Sequence, residues 1–218
     1  PADSRDQDMK QVIYGALLLI LGLLPASAQQ SRELTQLLER AETSLYGSGM
    51  AQVEFVTRLQ DRAGKPQGTT KGRMYLQGDA FRLEYGSITA VYSSGTLSYY
   101  DKAEETLTHS RPTEEELLQI NPLRFLRSRA QGFTSIQLPA PAATTLVRFV
   151  PKGKSNIRSV EASFQTKSGS PTRLVFVARD GSRLTAELGA PSHRNAAAAS
   201  FYVLSERSYP GCEVIDLR

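Results

Sequence analysis

The side chains that could perform acid–base, nucleophilic or metal chemistry are few and scattered in this sequence. The two histidines, His109 and His193, lie far apart among polar neighbours. No HExxH, GxSxG, P-loop or dinucleotide-binding pattern accompanies them. Cys212 is the only cysteine, so neither a disulfide within the chain nor a cysteine metal cluster can form. We therefore interpret the histidines as surface residues and Cys212 as a small packed side chain.

Carboxylates and tyrosines are the remaining candidates for chemistry. Glu114, Glu115 and Glu116 form a cluster, but Thr113 and Glu116 have the spacing of a capping box. Carboxylates in a first helical turn are favoured by the helix dipole, so the cluster needs no catalytic explanation. Five tyrosines could stack nucleic-acid bases: Tyr75, Tyr85, Tyr92, Tyr99 and Tyr100. No basic stripe accompanies them, so the sequence predicts no nucleic-acid partner. Together with the missing catalytic and metal-binding motifs, it also predicts no enzyme, no cofactor and no metal.

Composition is that of an ordinary globular protein. The chain has 218 residues, of which 40% are hydrophobic and 22% are charged, and its net charge is +4. Lysine and arginine are spread along the chain, which is typical of a solvated surface.

The first 28 residues have the pattern of an export signal. Met9-Lys10 precedes an apolar run over residues 12–24, and Ala26-Ser27-Ala28 resembles a cleavage site. The run is shorter than the roughly 20 residues of a spanning helix, which disfavours a membrane anchor. We predict an upstream extension plus signal peptide at residues 1–28, one domain at 29–218, and a periplasmic location.

The stretch Gly72–Asp101 contains several short alternating runs separated by tight turn signals at Gln77-Gly78, Gly86-Ser87 and Ser94-Gly95. This pattern predicts an antiparallel meander with one apolar face that must be covered. The cover is either ordinary core or a ligand.

Helical patterns are few. Apolar spacing predicts an amphipathic helix over Ser31–Tyr46 and a strand over Met50–Asp61. Thr113 opens a short helix, and Asn121-Pro122 starts a second one that Gly132 ends. Strands resume from Phe133, and the last one is predicted at Phe201–Leu204. Many strands with few helices indicate a mainly β (α+β) fold, an unclosed antiparallel β-barrel with a helical lid and an N-terminal helix.

Several segments, in this order, resemble the outer-membrane lipoprotein carrier, or LolA-like, family. They are Gly72–Leu76, Phe81–Leu83, Val91–Asp101, Glu114–Pro122 and Tyr209–Arg218. The resemblance implies an unclosed barrel with a helical lid and a periplasmic carrier that moves acylated lipoproteins to the outer membrane. Two departures occur: Ser94-Gly95 replaces the usual Asp-Gly, and Gln77-Gly78 stands where many members have a lid-latching arginine. No latch residue is therefore predicted.

The predicted ligand site is an acyl-chain cavity without catalytic or metal-binding residues. Its walls are predicted to be Val53, Phe55, Met74, Leu76, Phe81, Leu83, Leu97, Tyr99, Leu174 and Phe176. The predicted lid residues are Leu117, Leu118, Ile120, Leu123 and Leu126. The resemblance implies acylated lipoproteins, an inner-membrane ABC-type lipoprotein-releasing complex and an outer-membrane acceptor as partners of a monomer.

Two other functions are compatible with this interpretation. The first is a lipid-sensing or scaffold protein of the same half-barrel fold that binds a free lipid or another apolar ligand. The second is a hydrolase with a hydrophobic pocket, which the missing nucleophile and base disfavour.

Overall fold

A computed structural model describes residues 26–218, without the side chains of residues 26–31, 119 and 128–131. The described residues divide into two units, 26–36 and 37–218. The predicted signal peptide lies outside the described residues except for 26–28, which begin the first helix. No helix within residues 26–218 is long and apolar enough to cross a membrane.

The described chain contains three α-helices and thirteen strands. The helices are α1 (Ala26–Tyr46), α2 (Glu114–Ile120) and α3 (Phe125–Gly132). The strands before the α2–α3 pair are β1 (Met50–Gln60), β2 (Pro66–Gln77), β3 (Ala80–Tyr85), β4 (Ile88–Ser93), β5 (Thr96–Asp101) and β6 (Thr106–Ser110). Those after it are β7 (Phe133–Leu138), β8 (Thr144–Pro151), β9 (Ile157–Gln165), β10 (Pro171–Ala178), β11 (Arg183–Leu188), β12 (Ser192–Arg194) and β13 (Glu213–Leu217).

All thirteen strands form one open sheet. Its order is β13-β6-β5-β4-β3-β2-β1-β11-β10-β9-β8-β7, with β12 paired to β1 outside this path. Two sequential meanders, β1–β6 and β7–β11, meet where β1 pairs with β11. Every pair is antiparallel except β13 with β6. The sheet begins at β13 and ends at β7, which confirms the predicted unclosed, mainly antiparallel fold with few helices.

Strand register places the apolar residues of neighbouring strands in rows on one face, called the inner face below. Val53 pairs with Met74, Met74 with Leu83, Leu83 with Ala90, and Ala90 with Tyr99. On the other meander, Leu174 pairs with Ala162 and Ala186. Because side chains alternate along a strand, these rows share one side of the sheet.

Helix α3 is anchored on the inner face by Phe125, which is fully buried. Its ring packs edge-on against the rings of Phe149 at 4.9 Å and Phe176 at 6.5 Å, both inner-face residues. The apolar stripe of α1 is also buried, with Leu37, Ala41 and Leu45 each at most 3% exposed. Burial of apolar side chains, rather than helix length, holds such short helices in place.

The outer face carries ion pairs and a second, smaller core. Arg73 bonds Glu54 at 3.0 Å on the neighbouring strand, and Arg148 bonds Glu161 at 2.8 Å. Farther along the sheet, Val91, Leu107 and Leu204 form a buried cluster. Tyr100, Tyr209 and Cys212 pack against that cluster, and the two tyrosine rings stack at 3.7 Å. Residues 199–212 thus cover part of the outer face.

The strand predicted at Phe201–Leu204 is wrong. Ala199–Tyr202 form a 3-10 helix, in which Phe201 packs edge-on against Tyr75 and Tyr202 is buried. Consecutive residues of a strand face opposite sides, so a helical turn is needed to direct both neighbouring rings at the sheet. Two further strands, β12 and β13, were not predicted; every residue of each is exposed, so neither shows alternation.

Ser94-Gly95, which the sequence analysis noted in place of the usual Asp-Gly, forms a tight hairpin turn. Ser93 pairs with Thr96, leaving a two-residue loop. Both loop residues have positive φ, 51° for Ser94 and 79° for Gly95, as a type I′ hairpin turn requires. Serine is strained there where asparagine or aspartate is better tolerated.

Candidate functional site: an apolar cavity beneath the helical lid

A cavity of about 360 Å³ lies between the inner face and the junction of α2 with α3. Its volume is at the low end of the range found for small-molecule pockets, about 300–1,000 Å³. The residues that line it are Phe55, Thr57, Leu83, Tyr85, Ile88, Ala90, Tyr99, Ile120, Pro122 and Leu184. Eight strand residues form its walls, and Ile120 and Pro122 form its cover.

Four of the predicted site residues line this cavity: Phe55, Leu83 and Tyr99 on the walls and Ile120 in the lid. The predicted wall residues that lie buried in the core beside it are Val53, Met74, Leu76, Phe81, Leu97 and Leu174. Phe176 is half-buried and contacts the Phe125 ring. All ten predicted wall residues share the inner face, as the register shows.

Most of the predicted lid residues are buried between the helices and the sheet. Leu117, Leu123 and Leu126 are at most 2% exposed, whereas Leu118 and Ile120 are half-buried. Leu117, Leu123 and Leu126 therefore belong to the core beneath the helices. Ile120 is the predicted lid residue that reaches the cavity.

Sequence reasoning missed six lining residues: Thr57, Tyr85, Ile88, Ala90, Pro122 and Leu184. The signal for two of them was present, since Tyr85 and Ile88 flank the turn at Gly86 within the predicted meander. Leu184 could not be found this way, because it reaches the cavity only through the β1–β11 pairing of distant segments.

Two of the hydroxyl groups in the cavity wall are hydrogen-bonded to each other. The hydroxyls of Thr57 and Tyr85 are 2.8 Å apart and hydrogen-bonded, and the Thr57 hydroxyl also donates to the Thr70 carbonyl at 3.3 Å. A buried polar group without a partner would penalise an apolar ligand, so this pairing keeps the wall suited to hydrocarbon.

Gly72 allows an aromatic pair to close one side of the cavity. A Cβ at Gly72 would lie 2.3 Å from Cζ of the Phe55 ring, so that ring rests directly on the Gly72 backbone. Phe55 also stacks on Tyr85 with ring centroids 6.0 Å apart. Any side chain at position 72 would push the Phe55 ring out of this position.

The lid is two short helices joined by a buried bend. The capping box at the start of α2 is confirmed: the Thr113 hydroxyl accepts from the Glu116 amide, and the Glu116 carboxylate accepts from the Thr113 amide at 2.7 Å. Asn121 is 1% exposed and stands at the N-cap of a short 3-10 helix, Pro122–Arg124, as the predicted second start requires, but its side chain forms no capping hydrogen bond. Its backbone instead accepts from the Arg124 amide at 3.0 Å, which forms the bend.

An arginine on the lid fastens it to the sheet. Arg127 of α3 donates to the Gly78 carbonyl at 3.1 Å and pairs with the Asp79 carboxylate, both in the β2–β3 turn. Its guanidinium also lies over the Tyr46 ring, 5.1 Å from the centroid. The β2–β3 turn, where the sequence analysis found no latching arginine, is therefore held by an arginine that comes from the lid.

A second ion pair braces the lid internally. Arg124 donates two hydrogen bonds to Glu114, at 2.9 and 3.0 Å. These bonds hold the pKa of the Glu114 carboxyl below its usual value. A lowered pKa means that the stabilisation is present at neutral pH and is lost as the pH falls through the folded-state pKa.

Replacing Arg127 by alanine is expected to raise the affinity for a fluorescent fatty acid about two- to five-fold. The contacts that hold the lid closed are largely exposed and contribute about 0.5–1 kcal/mol, which opposes ligand entry. Titration of the probe fluorescence measures the change. Arg148→Ala, which removes an exposed pair on the outer face, is the matched control and should leave the affinity unchanged; equal effects of both would rule out a latch.

The other candidate chemical groups do not converge. The five tyrosines divide between the faces: Tyr85 and Tyr99 line the cavity and Tyr92 stacks on Phe81 of the inner face, whereas Tyr75 and Tyr100 pack against residues 199–212. His109 Nδ1 is hydrogen-bonded to the Ser98 hydroxyl at 2.7 Å. Among residues 26–218 no group of three His, Cys, Asp or Glu side chains is placed to hold a metal ion.

Comparison with known proteins gives likenesses of structure only. No family model matches the sequence. No curated protein matches it either. Among solved structures, an uncharacterised conserved protein from Thermus thermophilus has a TM-score of 0.49 at 16% identity, over 84% of this chain and 98% of that chain.

Two further solved structures are similar to this chain. A LolA superfamily protein from Nitrosomonas europaea has a TM-score of 0.45 at 9% identity, over 78% of this chain and 97% of that chain. The MucA/MucB complex from Pseudomonas aeruginosa has a TM-score of 0.42 at 11% identity, over 85% of this chain and 62% of that chain.

Proposed function

We propose that this protein is a non-enzymatic periplasmic carrier that binds the acyl chains of lipoproteins released from the inner membrane and delivers them to the outer membrane. An inner-membrane ABC-type releasing complex would supply the lipoprotein, and an outer-membrane acceptor would receive it. The observation that supports the proposal is the apolar cavity between the sheet and the lid, in whose wall the Thr57 and Tyr85 hydroxyls bond each other.

Hydrocarbon burial provides enough free energy for such a role. Each methylene that leaves water gains about 0.8 kcal/mol, so a sixteen-carbon chain gains roughly 12 kcal/mol before any cost of binding. The cavity of about 360 Å³ is small, so a full chain requires the lid to move. Opening the lid breaks the Arg127 contacts, and this cost makes the ligand releasable.

The decisive experiment is release of a lipoprotein from membranes. The full chain is expressed with export, purified from the exported fraction and mixed with spheroplasts that hold a radiolabelled triacylated lipoprotein. We expect the lipoprotein to appear in the soluble fraction in complex with the protein. No release, beside a working known carrier, would contradict the carrier function.

The same preparation tests the alternative of a lipid-sensing or scaffold protein. Organic extraction and mass spectrometry identify any apolar molecule that copurifies with the chain. A free lipid bound in the cavity, together with failure to release lipoprotein, would favour that alternative. Turnover of the extracted lipid would contradict the non-enzymatic role.

A further inference from the structure

Three hairpin turns lie side by side at one end of the sheet. They are residues 61–65 between β1 and β2, residues 152–156 between β8 and β9, and residues 179–182 between β10 and β11. The Arg179 amide donates to the Asn156 carbonyl at 2.9 Å, which joins two of the turns. A Cβ at Gly181 would lie 3.4 Å from Cβ of Arg62, so the third is also in contact.

This end of the sheet is strongly basic. Seven exposed basic residues occupy the three turns and the strand positions next to them: Arg62, Lys65, Lys152, Lys154, Arg158, Arg179 and Arg183. The same segments contain two acidic residues, Asp61 and Asp180. We call this surface the basic rim.

The two acidic residues are held within their own turns. The Asp61 carboxylate accepts from the amides of Ala63 and Lys65, both at 2.9 Å. The Asp180 carboxylate accepts from the Ser182 amide at 2.9 Å. The Ser182 hydroxyl, which also donates to this carboxylate at 2.7 Å, and the Ser182 amide hold the pKa of the Asp180 carboxyl below its usual value. Within residues 26–218, Arg62, Lys154 and Arg183 form no ion pair, so their charges face solvent.

The basic rim adjoins both the cavity and the lid. Leu184, which lines the cavity, directly follows Arg183. Leu59 pairs with Leu184 and remains 45% exposed, which places a bare apolar side chain beside the rim. On the lid, the Glu115 carboxylate accepts from the Asn156 amide at 3.4 Å, so α2 contacts the rim directly.

The other side of this end is acidic. The β5–β6 turn, at the same end of its strands, carries Asp101, Glu104 and Glu105 with one lysine, Lys102. The outer-face arginines Arg73 and Arg148 are paired with glutamates. Arg62, Lys154 and Arg183 therefore place positive charge at the end of the sheet formed by β1, β11, β10, β9 and β8.

We propose that the basic rim docks on the anionic surface of a lipid bilayer and holds the cavity at the headgroup layer. Basic side chains near such a surface are attracted by acidic headgroups, and an exposed leucine among them can enter the interface. A rim spread over three turn tips suits a flat charged surface, and the exposed Leu59 side chain can enter the apolar layer beneath the headgroups. Docking would bring a bound acyl chain to the membrane, and this role rests on the proposed carrier function.

Vesicle cosedimentation tests the docking. The full-length exported protein is mixed with vesicles of phosphatidylcholine containing 30% phosphatidylglycerol, or of phosphatidylcholine alone. We expect binding to the anionic vesicles at least ten-fold tighter than to the neutral ones, and loss of that binding in 0.5 M sodium chloride. The triple variant Arg62→Glu, Lys154→Glu, Arg183→Glu should lose at least ten-fold in affinity for the anionic vesicles.

The matched control carries three charge reversals elsewhere, Arg111→Glu, Lys167→Glu and Arg207→Glu, all at exposed positions away from the rim. It should keep at least half of the vesicle affinity. An equal loss in both variants would mean attraction by net charge alone and would overturn the proposal, as would equal binding to neutral vesicles or none to anionic ones.

Fatty-acid binding in solution separates this proposal from the proposed function. The rim variant should bind a fluorescent fatty acid as the wild type does, because its substitutions lie outside the cavity. A wild-type protein that binds anionic vesicles but no fatty acid would retain the docking surface and contradict the carrier. Binding of the fatty acid without vesicle docking would do the reverse.

Discussion

Replacing Phe125 by alanine is expected to lower the free energy of unfolding by about 3–5 kcal/mol. The side chain is fully buried, and its ring packs edge-on against Phe133, Phe149 and Phe176. Alanine would remove all three contacts and leave a cavity at the junction of the lid with β7, β8 and β10. Urea unfolding followed by circular dichroism measures the loss.

Val203→Ala is the control for that measurement. Val203 is 56% exposed in the segment that crosses the outer face, so its truncation should change stability by less than about 0.5 kcal/mol. A loss below about 1 kcal/mol for Phe125→Ala would show that α3 is not anchored on the inner face as described. The proposed lid would then lack its main attachment.

Replacing Ala90 by phenylalanine is expected to reduce the affinity for a fluorescent fatty acid at least ten-fold. Ala90 lies between Leu83 and Tyr99 in one cross-strand row and lines the cavity with only a methyl group. A phenyl ring at this position would project into the space that the ligand needs. The loss of ten-fold corresponds to about 1.4 kcal/mol, less than two buried methylenes.

Stability and a second alanine provide the controls. Because the ring enters existing space, Ala90→Phe should cost less than the 1–3 kcal/mol of overpacking in a filled core. Ala103→Phe, at an exposed position in the β5–β6 turn, should leave the fatty-acid affinity unchanged. Wild-type affinity in a stably folded Ala90→Phe protein would place the ligand outside this cavity.

Local patterns predicted most of the fold. The capping box at Thr113 satisfies backbone groups within three residues, and the strand at Phe133–Leu138 lies where its alternation predicted it. The end of α3 at Gly132 was also predicted correctly. Such features depend on neighbours in the sequence, so one sequence is enough to find them.

Features that depend on distant residues were not predictable in this way. Nothing in the sequence near Arg127 indicates that it contacts Gly78 and Asp79, because the packing of the lid on the sheet brings them together. Nor does an apolar strand residue reveal whether it borders a cavity: Met74 and Leu83 are paired neighbours, yet only Leu83 lines the space.

The seam where β1 meets β11 has a consequence for how the chain reaches this structure. Each meander pairs strands that are neighbours in the sequence, so its contacts form with short loops. The seam joins Phe55–Gln60 to Arg183–Leu188 and must close a very long loop. Loop-closure entropy makes that step the costliest of the sheet, so the cavity, which takes Leu184 from one side and Phe55 from the other, is completed among the last parts of the fold.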